Sequence, residues 1–196
     1  MGDLWYETDL FIDGARVAAE GGATYDNVNP ATGEVLGVAA DASEADLDRA
    51  IGAARRAFDE TGWSTDVELR VRCLRQLHQA LVDHQEEIRA MTVAEVGTPV
   101  ALTYGPQLDV PLEFLTYYAD LAERYAWSED LGNAEPMGIP SHRWIEKEAV
   151  GVVGAITAWN FPHQLNLAKI GPAFAAGNTV VLKAAPATPW SALVLG

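Results

Sequence analysis

The chain has 196 residues, of which 49% are hydrophobic and 21% are charged. This composition is typical of a globular protein with enough apolar side chains for a packed core, in one large domain or two small ones. The formal net charge of −15 argues against nucleic acid or anionic membrane surfaces as partners, because both bind to clustered Lys and Arg. No segment has the roughly 18 uninterrupted apolar residues of a membrane span.

The single cysteine, Cys73, excludes an internal disulfide framework and any Cys-x-x-Cys metal site. It lies within a helical pattern without turn residues around it, which favours a structural thiol over a nucleophile. The four histidines have no metal-ligand spacing, so we expect no metal. The amino-terminal segment lacks the basic and apolar regions of a secretory signal. Together with the lone thiol, this favours a cytoplasmic location.

Short antiparallel strands are predicted near the amino terminus. Asp13-Gly14 lies between the apolar pairs at residues 11–12 and 16–17, and a tight hairpin turn favours Asp-Gly because it requires positive φ. Two more strands are predicted over residues 24–28 and 35–39, on either side of turn-forming residues.

Helices follow these strands. Ser43 and Asp46 form a capping-box pattern before apolar residues that recur at helical spacing up to Gly62. A second helical pattern covers residues 66–96, with a possible break at His84-Gln85, and a third covers residues 106–127. Two of the positions at the start of the third pattern, Leu108 and Leu112, together with Tyr104, fit either a substrate entrance or ordinary helix packing.

The last third of the chain changes character. Residues 129–140 are rich in Gly and Pro and predict a loop or irregular ribbon, followed by an extended strand over residues 142–149. The apolar run at residues 150–158 predicts a strand covered on both faces. A helix from Pro162 to Gly177, a buried strand over residues 179–182 and a helix opened by Pro189 complete a strand–helix–strand–helix order. This order is typical of an α/β fold with a parallel sheet and helical crossovers.

Three polar residues stand out in this unit. Asn160 follows its first strand and Lys183 ends its second, and parallel sheets bind ligands at the carboxyl ends of their strands. The Asn160 amide can donate to an anionic oxygen, although Asn is also a common turn former. Lys183 can equally be a lysine at a strand end whose ammonium is solvated and binds no ligand. Lys169 is expected to be buried on an apolar helix and to need a partner, unless its ammonium reaches the surface.

The run AITAWNFPHQLNLAKIGPAFAAGNTVVLKAAPATPWSA resembles the cofactor-binding region of the aldehyde dehydrogenase superfamily. Upstream, FIDGARV and NVNPATGEVLGVAADASEADLDRAIGAARRAFDETGWS are similar to amino-terminal segments of that family, in the same order. The resemblance covers nearly the whole chain, from about residue 10 to residue 195. It implies the amino-terminal part of an aldehyde dehydrogenase-like fold, with a parallel Rossmann-like sheet, helical crossovers, small antiparallel strands and an extended bridging ribbon.

The reaction that the resemblance implies is the oxidation of an aldehyde to a carboxylic acid. A cysteine thiolate attacks the aldehyde, hydride passes to NAD or NADP, and a glutamate activates the hydrolytic water. Asn160 matches the asparagine that stabilises the thiohemiacetal oxyanion, and Lys169 matches a lysine proposed for proton relay. Lys183 matches the lysine that contacts the adenosine ribose. The other positions that match the cofactor-binding region are Ile156, Thr157, Ala158, Trp159 and Pro186, and Asn160 also belongs to that region.

The resemblance also implies a division of the chain. Residues 1–127 and 148–196 match part of a dinucleotide-binding domain, and residues 128–147 match a bridging ribbon that builds a homo-oligomer in the full-length protein. The family's catalytic cysteine, its general-base glutamate and its Gly-rich cofactor turn fall beyond Gly196, so the catalytic domain is absent. Because Cys73 does not replace that cysteine, we expect the fragment alone to be inactive.

The sequence departs from the family near the cofactor. Ala184 follows the lysine where the family often has proline, and Ala158 replaces a proline before the tryptophan. Pro186 stands where the family often has an acidic or small polar residue. A carboxylate there would repel the 2′-phosphate of NADP, so its absence predicts that NADP is tolerated.

Three interpretations remain open from the sequence. The first is a dehydrogenase of this family, as a piece of a full enzyme or as one member of a split pair. The second is a catalytically inactive remnant or a nucleotide-binding module. The third is an unrelated α/β protein with similar blocks.

Overall fold

The computed structural model describes residues 8–196. The expectation that the chain has no secretory signal, and the first residues of the domain predicted over 1–127, fall on residues 1–7 and lie outside the described residues. Within residues 8–196, no helix combines the length and apolar content needed to cross a membrane.

The described residues form seven α-helices and eight strands. The helices are α1 (Glu44–Glu60), α2 (Val67–Asp83), α3 (Gln85–Val96), α4 (Val100–Thr103), α5 (Asp109–Arg124), α6 (Pro162–Ala175) and α7 (Trp190–Leu193). The strands are β1 (Leu10–Ile12), β2 (Ala15–Val17), β3 (Thr24–Val28), β4 (Val35–Ala40), β5 (Ser128–Ala134), β6 (Ser141–Glu146), β7 (Val152–Ile156) and β8 (Thr179–Lys183). In the part of the chain that is described, these strands form four two-stranded sheets, three antiparallel and one parallel.

The local signals at the amino terminus are confirmed. Strands β1 and β2 form a hairpin in which Asp13 and Gly14 both have positive φ, at 56° and 72°, as a tight hairpin turn requires. Strands β3 and β4 also pair as predicted. The Ser43 and Asp46 side chains each accept a hydrogen bond from the other's main-chain N–H, so the capping box at the start of α1 is present.

The helical core lies between α2, α3, α5 and α6. Its fully buried side chains include Leu74, Leu81, Ile88, Met91, Leu108, Leu112, Leu115 and Leu167. The predicted break between α2 and α3 is confirmed at His84. The third helical pattern is shorter than predicted: α5 begins at Asp109, and α4 was not predicted.

Of the two alternatives predicted for residues 129–140, a loop or an irregular ribbon, the loop is wrong for the first half. Strand β5 covers Ser128–Ala134 and pairs antiparallel with β6, with a bulge between Asp130 and Gly132. Gly132 has a φ of 69°, which suits a bulge position. The glycine therefore bends a strand and does not end it. The irregular part is confined to residues 135–140, at the tip of the hairpin.

The predicted strand–helix–strand unit is confirmed as β7, α6 and β8. The two strands are parallel, and their register runs from Val152 opposite Thr179 to Ile156 opposite Lys183. Burial of the first strand on both faces is not observed in the described residues. Ala155 is buried, but Ile156 at the strand end is 71% exposed. Within the described residues, this parallel sheet consists of β7 and β8 alone.

Asn178 fixes the start of this parallel pair. Its Oδ1 accepts hydrogen bonds from the N–H groups of Val150 and Gly151 at 2.8 and 3.0 Å. The preceding Gly177 has a φ of 86°, and a Cβ at that position would lie 2.9 Å from the Ser64 carbonyl oxygen. Both the conformation and the close approach require glycine. The turn between α6 and β8 is thereby locked against the beginning of β7.

A buried carboxylate, Glu95, joins α3 to β3 and to the start of α7. Its Oε1 accepts from Asn27 Nδ2 and the Trp190 N–H, both at 2.8 Å. Its Oε2 accepts from the Ser191 N–H at 2.9 Å and the Ser191 hydroxyl at 2.5 Å. Burial raises the pKa of the Glu95 carboxyl, and the four donors oppose this shift. The carboxylate caps α7 and thus fixes the segment that follows β8.

His163 makes a second buried polar contact, between α6 and α3. The Thr92 hydroxyl donates to the Ile88 carbonyl at 2.7 Å, so its one proton is used. It therefore accepts from His163 Nε2–H at 2.8 Å. Burial lowers the pKa of His163 from 6.5 to about 4, because the site disfavours the charged ring. The histidine is neutral in the folded protein near neutral pH.

Glu95→Gln should lower the free energy of unfolding by about 3 kcal/mol, because in either orientation the amide NH₂ faces a main-chain N–H, of Trp190 or of Ser191. Chemical denaturation of the purified chain measures the change. Glu148→Gln, at an exposed position, is the matched control and should change stability by less than about 0.5 kcal/mol. Equal stability of the two variants would contradict the assigned role of Glu95.

Stability should also depend on the protonation of His163. The unfolded chain binds a proton at this residue below pH 6.5, whereas the folded chain binds it near pH 4. Stability is therefore lost as pH falls from 6.5 to 4, by about 3 kcal/mol in total. The difference in unfolding free energy between wild type and His163→Leu, measured across this range, isolates the effect. His84→Gln, at an exposed histidine, should keep the wild-type slope; an unchanged slope in His163→Leu would refute the prediction.

Candidate active site

The carboxyl ends of β7 and β8 meet at one edge of the parallel sheet. Ile156 lies opposite Lys183 in the ladder. Beyond the ladder, the Thr157 N–H donates to the Lys183 carbonyl at 3.3 Å, and the Thr157 hydroxyl lies 3.4 Å from the same oxygen. The two strand ends are therefore joined. The candidate residues that follow β7 leave from the same edge as those that follow β8.

Asn160 lies in the turn between β7 and α6. Trp159 beside it is 57% exposed, and the Asn160 side chain is exposed as well. Pro162 occupies the first turn of α6, where its missing N–H costs nothing. Among residues 8–196, no group hydrogen-bonds to the Asn160 side-chain amide. Its two N–H donors are therefore available to an oxygen that develops negative charge.

The main chain of this turn is held by Gln107, which the sequence analysis missed. Gln107 Nε2 donates to the Asn160 carbonyl at 2.9 Å, and the Gln107 side chain is 3% exposed. No local sequence signal identifies this contact, because its partners are 53 residues apart.

A second part of the site lies beside β8. Lys183, Ala184 and Pro186 border a cavity of about 700 Å³ between β8, α1 and the β1–β2 hairpin. Its floor is largely apolar; the side chains of α1 that line it include Leu47, Ala50, Ala53, Ala54 and Ala57. Lys183 is exposed at its rim. The lining also contains Asp13, Asp41 and Asp46, so the cavity presents carboxylates as well as the Lys183 ammonium.

The predicted residues thus fall into two groups at one sheet edge. Residues 156–160 follow β7, with Thr157 half-buried and Ile156, Ala158, Trp159 and Asn160 exposed. Lys183 and Pro186 follow β8 and line the cavity. The Ile156–Lys183 pairing joins the groups, although residues 156–160 are not part of the cavity lining in the described chain.

The expected burial of Lys169 is wrong, because its side chain is exposed. Helix α6 buries one stripe that contains His163, Leu167 and Ile170, and Lys169 lies on a different side of the helix. Lys169 is the eighth residue of α6, about two helical turns from the start of the helix. The structure does not bring Lys169 and Asn160 together.

Four other residues considered from the sequence lie outside the sheet edge. Leu108 and Leu112 are fully buried in the core, so the packing interpretation holds for them. Tyr104 is exposed, and the Arg89 guanidinium lies 3.9 Å from the centre of its ring. Cys73 is a free, partly exposed thiol in α2 and not at the sheet edge. Within residues 8–196, no three His, Cys, Asp or Glu side chains are placed to hold a metal ion.

The chain is similar in sequence to proteins that are named as aldehyde dehydrogenases. The chain is 37% identical over 187 residues to the putative aldehyde dehydrogenase DhaS of Bacillus subtilis, covering 95% of this chain and 37% of that protein. It is 38% identical over 186 residues to the 3-sulfolactaldehyde dehydrogenase of Pseudomonas putida, covering 94% of this chain and 37% of that protein. The chain therefore spans little more than a third of the length of these relatives.

Solved structures show the same fold. A Mycobacterium tuberculosis aldehyde dehydrogenase complexed with NAD+ matches with a TM-score of 0.89 at 32% identity, over 97% of this chain and 38% of that one. An Escherichia coli NADP-dependent enzyme matches with a TM-score of 0.87 at 31% identity, over 98% of this chain and 39% of that one. The model of the aldehyde dehydrogenase family matches residues 17–196. The chain belongs to the aldehyde dehydrogenase family.

Proposed function

We propose that this chain provides the cofactor side and the oxyanion donor of an NAD(P)-dependent oxidation of an aldehyde to a carboxylic acid. The observation that carries the proposal is the joined edge of β7 and β8, where Lys183 contacts Ile156 and Thr157, a few positions before Asn160. NAD or NADP, when bound, accepts the hydride from the substrate. The mechanism passes through a thiohemiacetal on a cysteine that this chain does not contain.

Asn160 is assigned the electrostatic role. Addition of a thiolate to an aldehyde places negative charge on the carbonyl oxygen, and a fixed amide N–H at that oxygen lowers the barrier. The side chain of Asn160 is exposed and has both donors available among the described residues. Trp159 and the rest of the turn hold the donor beside the cofactor.

Lys183 is assigned to the adenosine ribose, and Pro186 to the same pocket. The exposed ammonium lies at the rim of the cavity beside β8. Pro186 brings no carboxylate to that rim, so nothing at this position repels the 2′-phosphate, and we propose that the site accepts NADP as well as NAD. Ile156, Thr157 and Ala158 line the cofactor from the end of β7.

We also propose that Lys169 takes part in proton relay. Its exposure on α6 places its ammonium in solvent, where protons exchange. The structure places it apart from Asn160, so any relay would begin at the surface of α6.

The chain is proposed to be inactive by itself. The thiolate and the general base of the reaction require a cysteine and a glutamate near Asn160, and Cys73, the single cysteine, lies in α2. A nucleotide-binding module without catalysis is therefore the second candidate for the 196 residues alone. We further propose residues 1–127 and 148–196 as part of the cofactor domain, in a cytoplasmic protein.

Residues 128–147 are proposed to build a homo-oligomer in the full-length protein. The β5–β6 hairpin exposes Leu131, Trp144 and Ile145, and exposed apolar side chains in one element are typical of a contact surface.

Cofactor binding tests the assignment of Lys183 in the 196-residue chain. Titration with NAD+ and NADP+, followed by tryptophan fluorescence, should show saturable binding of both. Lys183→Ala should weaken it about tenfold, the effect of losing one charged hydrogen bond. Lys147→Ala, also at an exposed lysine, is the control and should bind as wild type. Equal binding by the two variants would remove Lys183 from the site.

Kinetics of the full-length enzyme test the role of Asn160. Asn160→Ala should lower kcat by about 10²–10³-fold, with little change in the KM for the cofactor, because the amide acts in the transition state. Asn133→Ala, at an exposed asparagine in β5, should leave kcat unchanged. A wild-type kcat in Asn160→Ala would reject the oxyanion role.

A further inference from the structure

We infer that Gln107 is the positioning residue for Asn160, an inference that rests on the function proposed above. Its side-chain Nε2 donates to the Asn160 main-chain carbonyl at 2.9 Å, from a buried position. Gln107 does not touch the reacting atoms. It sets the direction in which the Asn160 amide leaves the turn.

The turn depends on this one bond. The main-chain hydrogen bonds on either side of it belong to Thr157, which is tied to β8, and to Leu165, whose N–H donates to the Phe161 carbonyl at 2.9 Å. Of the hydrogen bonds formed within residues 8–196, the Gln107 bond is the one made to residues 158–160. Without it, residues 158–160 would make no hydrogen bond within the described residues.

The donor itself stands on a rigid support. The Gln107 N–H donates to the Leu102 carbonyl at 3.1 Å. The next residue, Leu108, is fully buried, and α5 follows directly with Leu112 in the core. Packing of these leucines holds the main chain of Gln107 in place. The orientation of Asn160 is therefore linked to the helical core.

The other atom of the Gln107 amide, Oε1, indicates that a contribution to stability does not by itself explain why glutamine occurs at this position. Its Oε1 is buried and accepts no hydrogen bond within the described residues. A buried acceptor without a donor costs about 1–3 kcal/mol, so an apolar side chain of similar size would avoid this loss. The amide orientation is also fixed, because only the NH₂ can face a carbonyl oxygen. Gln107 thus provides an N–H donor at the place where the Asn160 carbonyl requires one.

The test uses the full-length enzyme and a double-mutant cycle. Gln107→Met has similar length and no donor, and should lower kcat about tenfold with the cofactor KM within about twofold of wild type. Because Gln107 acts through the Asn160 amide, Gln107→Met should have no further effect on kcat in the Asn160→Ala background. Gln76→Met, at an exposed glutamine in α2, is the control and should retain the wild-type kcat.

Gln107→Glu gives a rescue that a purely structural role would not show. A protonated glutamic acid can donate to the Asn160 carbonyl, whereas the carboxylate would repel it. The ratio of kcat for Gln107→Glu to wild type should therefore rise as pH falls, and the ratio for Gln107→Met should stay flat. This measurement also serves if Gln107→Met does not fold.

The 196-residue chain provides a second readout. Trp159 adjoins Asn160, and its contribution to fluorescence is obtained by subtracting the Trp159→Phe spectrum. Gln107→Met should lower the anisotropy of this contribution, because the turn loses its hydrogen bond, while Gln76→Met should not.

The outcomes separate this inference from the proposed function. If Asn160→Ala has a wild-type kcat, the proposed oxyanion role fails. If Asn160→Ala is impaired but Gln107→Met changes only the melting temperature, or adds its full effect in the double variant, Gln107 is not a positioning residue. A pH-independent ratio for Gln107→Glu would overturn the inference in the same way.

Discussion

The register between β7 and β8 determines where Lys183 and the residues at the end of β7 lie. Asn178 fixes it at the start of the pair, where its Oδ1 holds the N–H groups of Val150 and Gly151. The Thr157–Lys183 contact fixes it at the end. A shift of one residue would send each side chain of the strand to the opposite face. The Lys183 side chain would then lie on the opposite face of the sheet.

The two loops that leave this edge are held by buried polar side chains from the helical layer. Glu95, from α3, caps α7 and fixes the segment after β8, and Gln107, before α5, holds the turn after β7. Buried polar groups are costly unless they are paired, and the four donors to Glu95 meet that requirement. The helical core therefore does more than cover the sheet, because it carries the contacts that orient the loops.

The sequence predicted features whose cause is local. The Asp13-Gly14 hairpin, the Ser43 capping box and Pro162 at the start of α6 each depend on residues within a few positions, so their signals are visible in the chain. The apolar runs of the sequence placed Asn160 after one strand and Lys183 at the end of another, and the parallel pairing of these strands is confirmed.

The errors and omissions have a different cause. Residues 129–134 form a strand because residues 141–146 pair with them, and the exposure of Lys169 follows from which side of α6 faces the core. Gln107 and Glu95 act on partners 53 and 95–96 residues away. Contacts of this kind depend on the tertiary arrangement, and no local spacing or propensity reports them.

Cofactor preference is a property of side chains and not of this fold. The NAD+ complex from Mycobacterium tuberculosis and the NADP-dependent enzyme from Escherichia coli match the chain with TM-scores of 0.89 and 0.87, so proteins described with either cofactor have this backbone. The net charge of −15 disfavours an additional phosphate at long range, but salt screens such repulsion beyond about 8 Å. Charges at the rim of the cavity therefore dominate. The cavity lining carries the Asp13, Asp41 and Asp46 carboxylates besides the Lys183 ammonium. The NADP proposal therefore depends on Lys183 and on the absence of a further carboxylate at Pro186.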